Sequence, residues 1–335
     1  MYKRERDTTK FSDLGVNEYD GFDEFLSTPI SEGLNTIRFG DRLFDFFYED
    51  RGSPVTFITF SAAINPSIKE YPIFSSRPVA ERLGANFLAF SDPAAGGDKA
   101  LTTFWHLGTH EVPSHIVVPA TIRKVIGERG GDSLLFFGSS AGGFAALNYS
   151  AQFPGSAVLV MNPRVNVLNA PKHAPRYVPA AFPGVPVQDA LRALPYNQAA
   201  VYGEAQGNFV VYLQNMQDDV YKRNHYAHFA KAVDGRNDVH FVTDNWGQGH
   251  VVPPRDVYEG LLTDLVSAAP HWNEILVDKN GFTDTLNGMN PRATILSAAD
   301  KFERISQDLR EANDPEILNE AIAEAESVIA SLKSL

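Results

Sequence analysis

The apolar run Ser133-Leu-Leu-Phe-Phe137 leads with almost no loop into Gly138-Ser139-Ser140-Ala141-Gly142-Gly143, and that into Phe144-Ala-Ala-Leu147. When a buried strand turns straight into a helix, the tip residue takes a strained backbone conformation. The residues two before and two after it must then be small. Gly138 and Gly142 satisfy this around Ser140, and Gly143 and the alanines let the helix come close to the sheet. The Ser140 hydroxyl is expected at the C-terminal edge of the sheet, above a helix N-terminus whose partial positive charge favours a developing oxyanion. Gly-x-Ser-x-Gly by itself is a weak signal; the strand before it and the small-residue helix after it give it weight. Ser139 sits one place early for the flanking glycines. The segment lacks the Gly-Lys-Ser/Thr end of a P-loop and the Gly-x-Gly-x-x-Gly of a dinucleotide site.

Other strand-length runs surround this one. Asn35–Phe39 and Leu43–Tyr48 read as a hairpin, followed by Val55–Phe60, Asn86–Phe90, Ala157–Met161, Asn208–Leu213 and Val239–Thr243. Most are almost continuously apolar, which suits parallel strands buried on both faces. Helical spacing appears over 76–84, 113–128, 141–153, 221–233 and 255–268. The alternation predicts an α/β fold with a mostly parallel central sheet and helices on both faces. Residues 1–30 read as a polar arm lying on the surface, 31–270 as the main domain and 271–335 as a helical extension. A Pro- and Ala-rich insertion at about 165–205 is either a lid or an excursion packed on the body. At the C-terminus, Phe302, Ile305 and Leu309 form one apolar stripe, and Leu318, Ile322, Ala325, Ile329 and Leu332 another. Together they predict a helical hairpin that packs on the core or joins two copies into a homo-oligomer.

A serine hydroxyl is a poor nucleophile until a base takes its proton, and the base needs a third group to orient it. Of nine histidines, His250 stands out. It follows the last strand in Asp244-Asn-Trp-Gly-Gln-Gly-His250, where glycines allow a loop to swing the ring over the sheet edge. For the acid, the loop after Asn208–Leu213 offers Asp218 and Asp219. Asp218 is the choice, with Asp219 left to open the next helix. Asp244 is a third candidate, and Asp92 reads as a turn residue. Oxyanion-hole N–H groups are expected from Ala141 and from Ala62 in the loop after Val55–Phe60. Ser61, Trp105 and His106 are candidate substrate contacts. His106, His110 and His115 match no ligand motif, so no metal is expected, and no cofactor either.

The elbow at Ser140, followed by Asp218 and then His250, resembles the α/β-hydrolase superfamily, whose members show the order Ser…Asp…His. The resemblance covers about 40–270. Asn162-Pro163 and Gln214-Asn215 are similar to a bacterial subset associated with surface polysaccharides and accessory secretion of glycoproteins. Phe60-Ser61-Ala62 departs from the His-Gly of many esterases and lipases. The resemblance implies a serine hydrolase that cleaves a carboxylic ester through an acyl-enzyme, on a small-molecule or saccharide-linked acyl substrate. Alternatives are an acyltransferase to a sugar or other hydroxyl, and a non-catalytic hydrolase-fold interaction protein. A formal net charge of -12 argues against a nucleic-acid partner. The absence of cysteine fits a reducing cytoplasm, which is the expected location. The charged N-terminus does not read as a secretory signal, and no apolar run is long enough to span a membrane.

Overall fold

The computed structural model describes residues 4–97, 101–170 and 172–272. Nine strands form one sheet: β1 (Val16–Tyr19), β2 (Gly33–Phe39), β3 (Arg42–Glu49), β4 (Val55–Phe60), β5 (Asn86–Phe90), β6 (Ser133–Ser139), β7 (Ala157–Met161), β8 (Phe209–Asn215) and β9 (Val239–Asp244). Their spatial order is β9-β8-β7-β6-β4-β5-β3-β2-β1. All neighbours from β9 through β5 are parallel. β3 is antiparallel to both β5 and β2. The sheet is mostly parallel, with helices on both faces, as the alternation of patterns predicts.

Alternation along the strands divides the core into two layers. Ile58 and Phe60 of β4 and Val158 and Val160 of β7 face one layer, against helices Ser114–Arg129 and Ser140–Ser150. Val55 and Phe57, and Ala157, Leu159 and Met161, face the other, against Arg77–Leu83 and Arg255–Ala268. Both faces being dry explains why these strands carry few polar residues.

A third apolar cluster involves the 165–205 segment. Tyr177, Val178, Ala181 and Leu191 pack there with Trp105, Ala141 and Phe144. Tyr177 Oη donates to the Gly108 carbonyl at 2.8 Å, and His110 N–H to that of Ala181 at 2.8 Å. The Pro/Ala-rich insertion therefore packs against the body next to the helix that begins at Ser140.

The N-terminal arm departs from expectation. β1 extends the sheet, parallel to β2. Glu5–Arg6 pairs with Glu70–Tyr71 in a small second sheet. Arg4 donates to the Ala95 and Leu101 carbonyls, and Arg6 forms a fork onto Asp45, which is 3% exposed. A fixed fork of guanidinium donors turns a polar segment into a structural one. The candidate C-terminal hairpin lies outside the described residues. No helix of the described residues is long and apolar enough to cross a membrane.

Candidate active site

At the end of β6 the chain passes directly into helix Ser140–Ser150, and Ser140 takes φ 51°, a left-handed conformation that a non-glycine residue rarely adopts. Space explains the glycines around it. A Cβ on Gly138 would lie 2.3 Å from the Gly142 carbonyl oxygen, and one on Gly142 would lie 2.4 Å from that of Phe60. The loop after β4 is thus pressed onto the first turn of the helix. Ala62 lies in that loop, half-buried, and Ala141 is buried in the first helical turn, where N–H groups have no intrahelical acceptor.

β8 delivers Asp218, which is buried and caps the next helical segment. Its Oδ1 accepts from the Tyr221 N–H at 3.1 Å, and its Oδ2 lies 2.7 Å from His250 Nδ1. One carboxylate thus fixes both the histidine and, one turn later, Tyr221. The Tyr221 and His250 rings stack with centroids 3.7 Å apart and planes 20° from parallel. Tyr221 Oη is 2.9 Å from Ser140 Oγ. Ser140, His250 and Asp218 all meet around Tyr221, a residue that sequence reasoning passed over; its only signal was a place three residues after the candidate acid.

The other acidic candidates lie elsewhere. Asp219 is exposed, pairs with Lys222 at 2.8 Å and opens the next helical segment as its first-turn acid, while Asp218 caps it. Asp244 accepts from its neighbour Asn245 N–H at the exposed end of β9.

Two asparagines hold the His250 loop. Asn215 Nδ2 donates to the Gly247 and Gly249 carbonyls at 2.6 and 2.8 Å, while its Oδ1 accepts from Trp246 N–H at 3.1 Å. Asn162, at φ 40°, accepts from Asn215 N–H at 2.7 Å and donates to the Val251 carbonyl at 2.8 Å. Both belong to the dipeptides Asn162-Pro163 and Gln214-Asn215, which the sequence marked as a family likeness without a role.

Burial lowers the pKa of His250 below the usual value, the Asp218 carboxylate opposes this, and the Arg164 guanidinium adds to the lowering. Burial also raises the Tyr221 phenol, which stays protonated and able to donate. His225, buried beside them, is pushed down to about 3 by burial first and by Arg164 and His250 after it.

Ser61 and His106 are buried behind this site, with Ser61 Oγ 3.5 Å from His106 Nε2. His106, at φ 54°, donates its N–H to Asp92 at 2.7 Å. Burial pushes the His106 imidazole down to about 4 and the Asp92 carboxyl up to about 7. Asp92 is a turn residue, accepting from Ala94 N–H at 2.9 Å, and an anchor for His106 as well. Trp105 is 0% exposed and packs edge-on against Tyr177. Trp105 and His106 are thus buried packing residues, Trp105 against Tyr177 of the 165–205 segment and His106 against Phe60. Among the described residues, no cluster of three or more His, Asp or Glu is arranged to hold a metal ion.

No family model matches the sequence, and no curated protein matches it. Solved structures do resemble it. The capsule O-acetyltransferase of Neisseria meningitidis serogroup A superposes with a TM-score of 0.52 at 15% identity, over 77% of this chain and 99% of that one. A histidine mutant of the same enzyme in complex with CoA gives 0.50 at 16% identity, over 70% and 94%. An S-formylglutathione hydrolase from Agrobacterium tumefaciens gives 0.46 at 13% identity, over 72% and 93%. The strand order, the strained serine between strand and helix and the likeness to the O-acetyltransferase show an α/β-hydrolase-like fold.

Proposed function

We propose that the protein is a serine-dependent acyl-transfer enzyme that hydrolyses a carboxylic ester. The observation that carries this reading is the strained Ser140 sharing Tyr221 with an Asp218–His250 pair 2.7 Å apart. Ser140 Oγ attacks the acyl carbonyl as His250 takes its proton, and Asp218 holds the imidazole in the tautomer that leaves Nε2 free to do so. The N–H groups of Ala62 and Ala141 stabilise the tetrahedral oxyanion. Its collapse releases the alcohol, protonated by His250, and water then discharges the acyl-enzyme by the same route. In the resting protein the Oγ hydrogen bond goes to Tyr221 and not to His250, so this reading has the hydroxyl exchange partners when substrate enters.

The test is turnover of nitrophenyl acetate together with labelling by a fluorophosphonate. Ser140→Ala is expected to abolish both, and labelling that persists in the variant refutes the nucleophile. A second reading, transfer to a sugar or other hydroxyl, draws on the likeness to a capsule O-acetyltransferase across nearly all of that enzyme's length. It keeps the same residues and replaces water with an alcohol. Product analysis with a candidate acceptor separates the two: an acylated acceptor favours transfer, and free acid alone favours hydrolysis.

A further inference from the structure

Among the described residues, no carboxylate forms an ion pair with Arg164, which lies at the serine. Its N–H donates to the Ser140 carbonyl at 2.9 Å, so its backbone is fixed to the nucleophile. Its guanidinium stands over Tyr221, 5.3 Å from the ring centroid, and its buried Nε has no hydrogen-bond partner. The nearest acids of the site are already engaged, Asp218 with His250 and Asp219 with Lys222. Most other arginines of the described residues have a carboxylate, as Arg6, Arg51, Arg82 and Arg236 do. In a chain of formal charge -12, a half-buried cation with no carboxylate partner among the described residues stands out at this place.

Apart from the Asp218 carboxylate, which is engaged by His250, the titratable groups that feel Arg164 are histidines and a tyrosine. His173, at the start of the 165–205 segment, is held below its usual pKa by burial first, then by Arg164, Arg176 and Lys172 in turn. His225 and His250 also feel Arg164. Lys172 and Arg176 are exposed, and no carboxylate pairs with either among the described residues. A partly desolvated guanidinium with a free donor is costly unless an anion completes it. Its planar fork suits carboxylate and phosphate oxygens.

We propose that Arg164, with Lys172 and Arg176 at the rim, receives an anionic group (phosphate, sulfate or carboxylate) carried by the substrate whose acyl group Ser140 takes. This rests on the acyl-transfer reading for the role of Ser140 and on Arg164 alone for the anion. It narrows the substrate class to esters with a fixed negative charge near the scissile bond, on either the acyl or the alcohol side.

Three esters distinguish those sides: neutral nitrophenyl acetate, nitrophenyl hemisuccinate with the charge on the acyl part, and acetoxybenzoate with it on the leaving group. In Arg164→Met, kcat/KM for one charged ester is expected to fall about tenfold further than for the neutral one, chiefly through KM, as losing a charge-assisted hydrogen bond requires. Arg164→Lys should recover part of the loss. The pair Lys172→Gln and Arg176→Gln, both on the surface, should give a smaller loss in the same direction. Equal effects on all three esters overturn the proposal. A direct readout needs no catalysis: binding of inorganic phosphate to the Ser140→Ala protein should be lost when Arg164→Met is added, and undiminished binding overturns the site. If no ester is turned over, the acyl-transfer reading falls, and the phosphate measurement still decides for or against the anion site.

Discussion

Single residues set the chemistry, and His250 is where their influences add. In its proposed role as the base it works only in its neutral form, so its pKa places the acid limb of the pH profile. The groups that face it are Asp218, Tyr221, Arg164 and His225. Burial lowers its pKa, Asp218 raises it and Arg164 lowers it again, with a net shift downward. Activity should therefore rise with pH through a midpoint below about 6.5, the ordinary value of a free histidine. Removing the cation in Arg164→Met should move that midpoint upward. A kcat/KM profile with nitrophenyl acetate checks both, and a wild-type limb above the ordinary value contradicts them. The sequence pointed to Ser140, Asp218 and His250 because strand ends and chain order are visible in it. The link through Tyr221 was not visible. In sequence Tyr221 is an aromatic on a helical pattern, and only the Asp218 cap, which winds the chain by one turn, carries its hydroxyl to the serine.

At the scale of elements, the strand–helix junction works because three backbone segments touch. Gly142 gives the clearest test, since a Cβ there would meet the Phe60 and Ser61 carbonyls at 2.4 and 2.9 Å. Gly142→Ala must push the loop carrying Ala62 away from Ser140. The expected cost in stability is about 1–3 kcal/mol, the usual range for overpacking. Turnover should fall at least about tenfold, since the proposed oxyanion donors of Ala62 and Ala141 separate. Chemical unfolding and ester turnover on the same preparation check this; full activity would show that the loop is not part of the site. Strands buried on both faces were legible as runs of apolar residues, and the sheet followed from them. β1 was not. Val16-Asn-Glu-Tyr19 is short and half polar, because an edge strand has one neighbour and open solvent beside it.

Across the whole molecule, the arm has a larger part than its composition suggests. Arg6 supplies the counter-charge for Asp45, a carboxylate in the middle of β3, and also reaches Thr36 of β2. Arg6→Ala leaves that carboxylate buried and unpaired, and should cost about 3 kcal/mol. A lowered midpoint in chemical denaturation would register it, and an unchanged midpoint would mean that water replaces the guanidinium. The pattern was hidden because Lys3-Arg-Glu-Arg-Asp7 reads as solvated charge until the partners, all far along the chain, are known.

Those partners also impose an order in time. The acceptors of Arg4 lie 91 and 97 residues downstream of it. During synthesis from the N-terminus, residues that emerge early must wait, unpaired, until the loop after β5 has left the ribosome. Contacts between such distant positions close slowly, because the intervening chain must first give up its freedom. The contacts of Arg4 are therefore expected to close after the local pairing of β2 with β3.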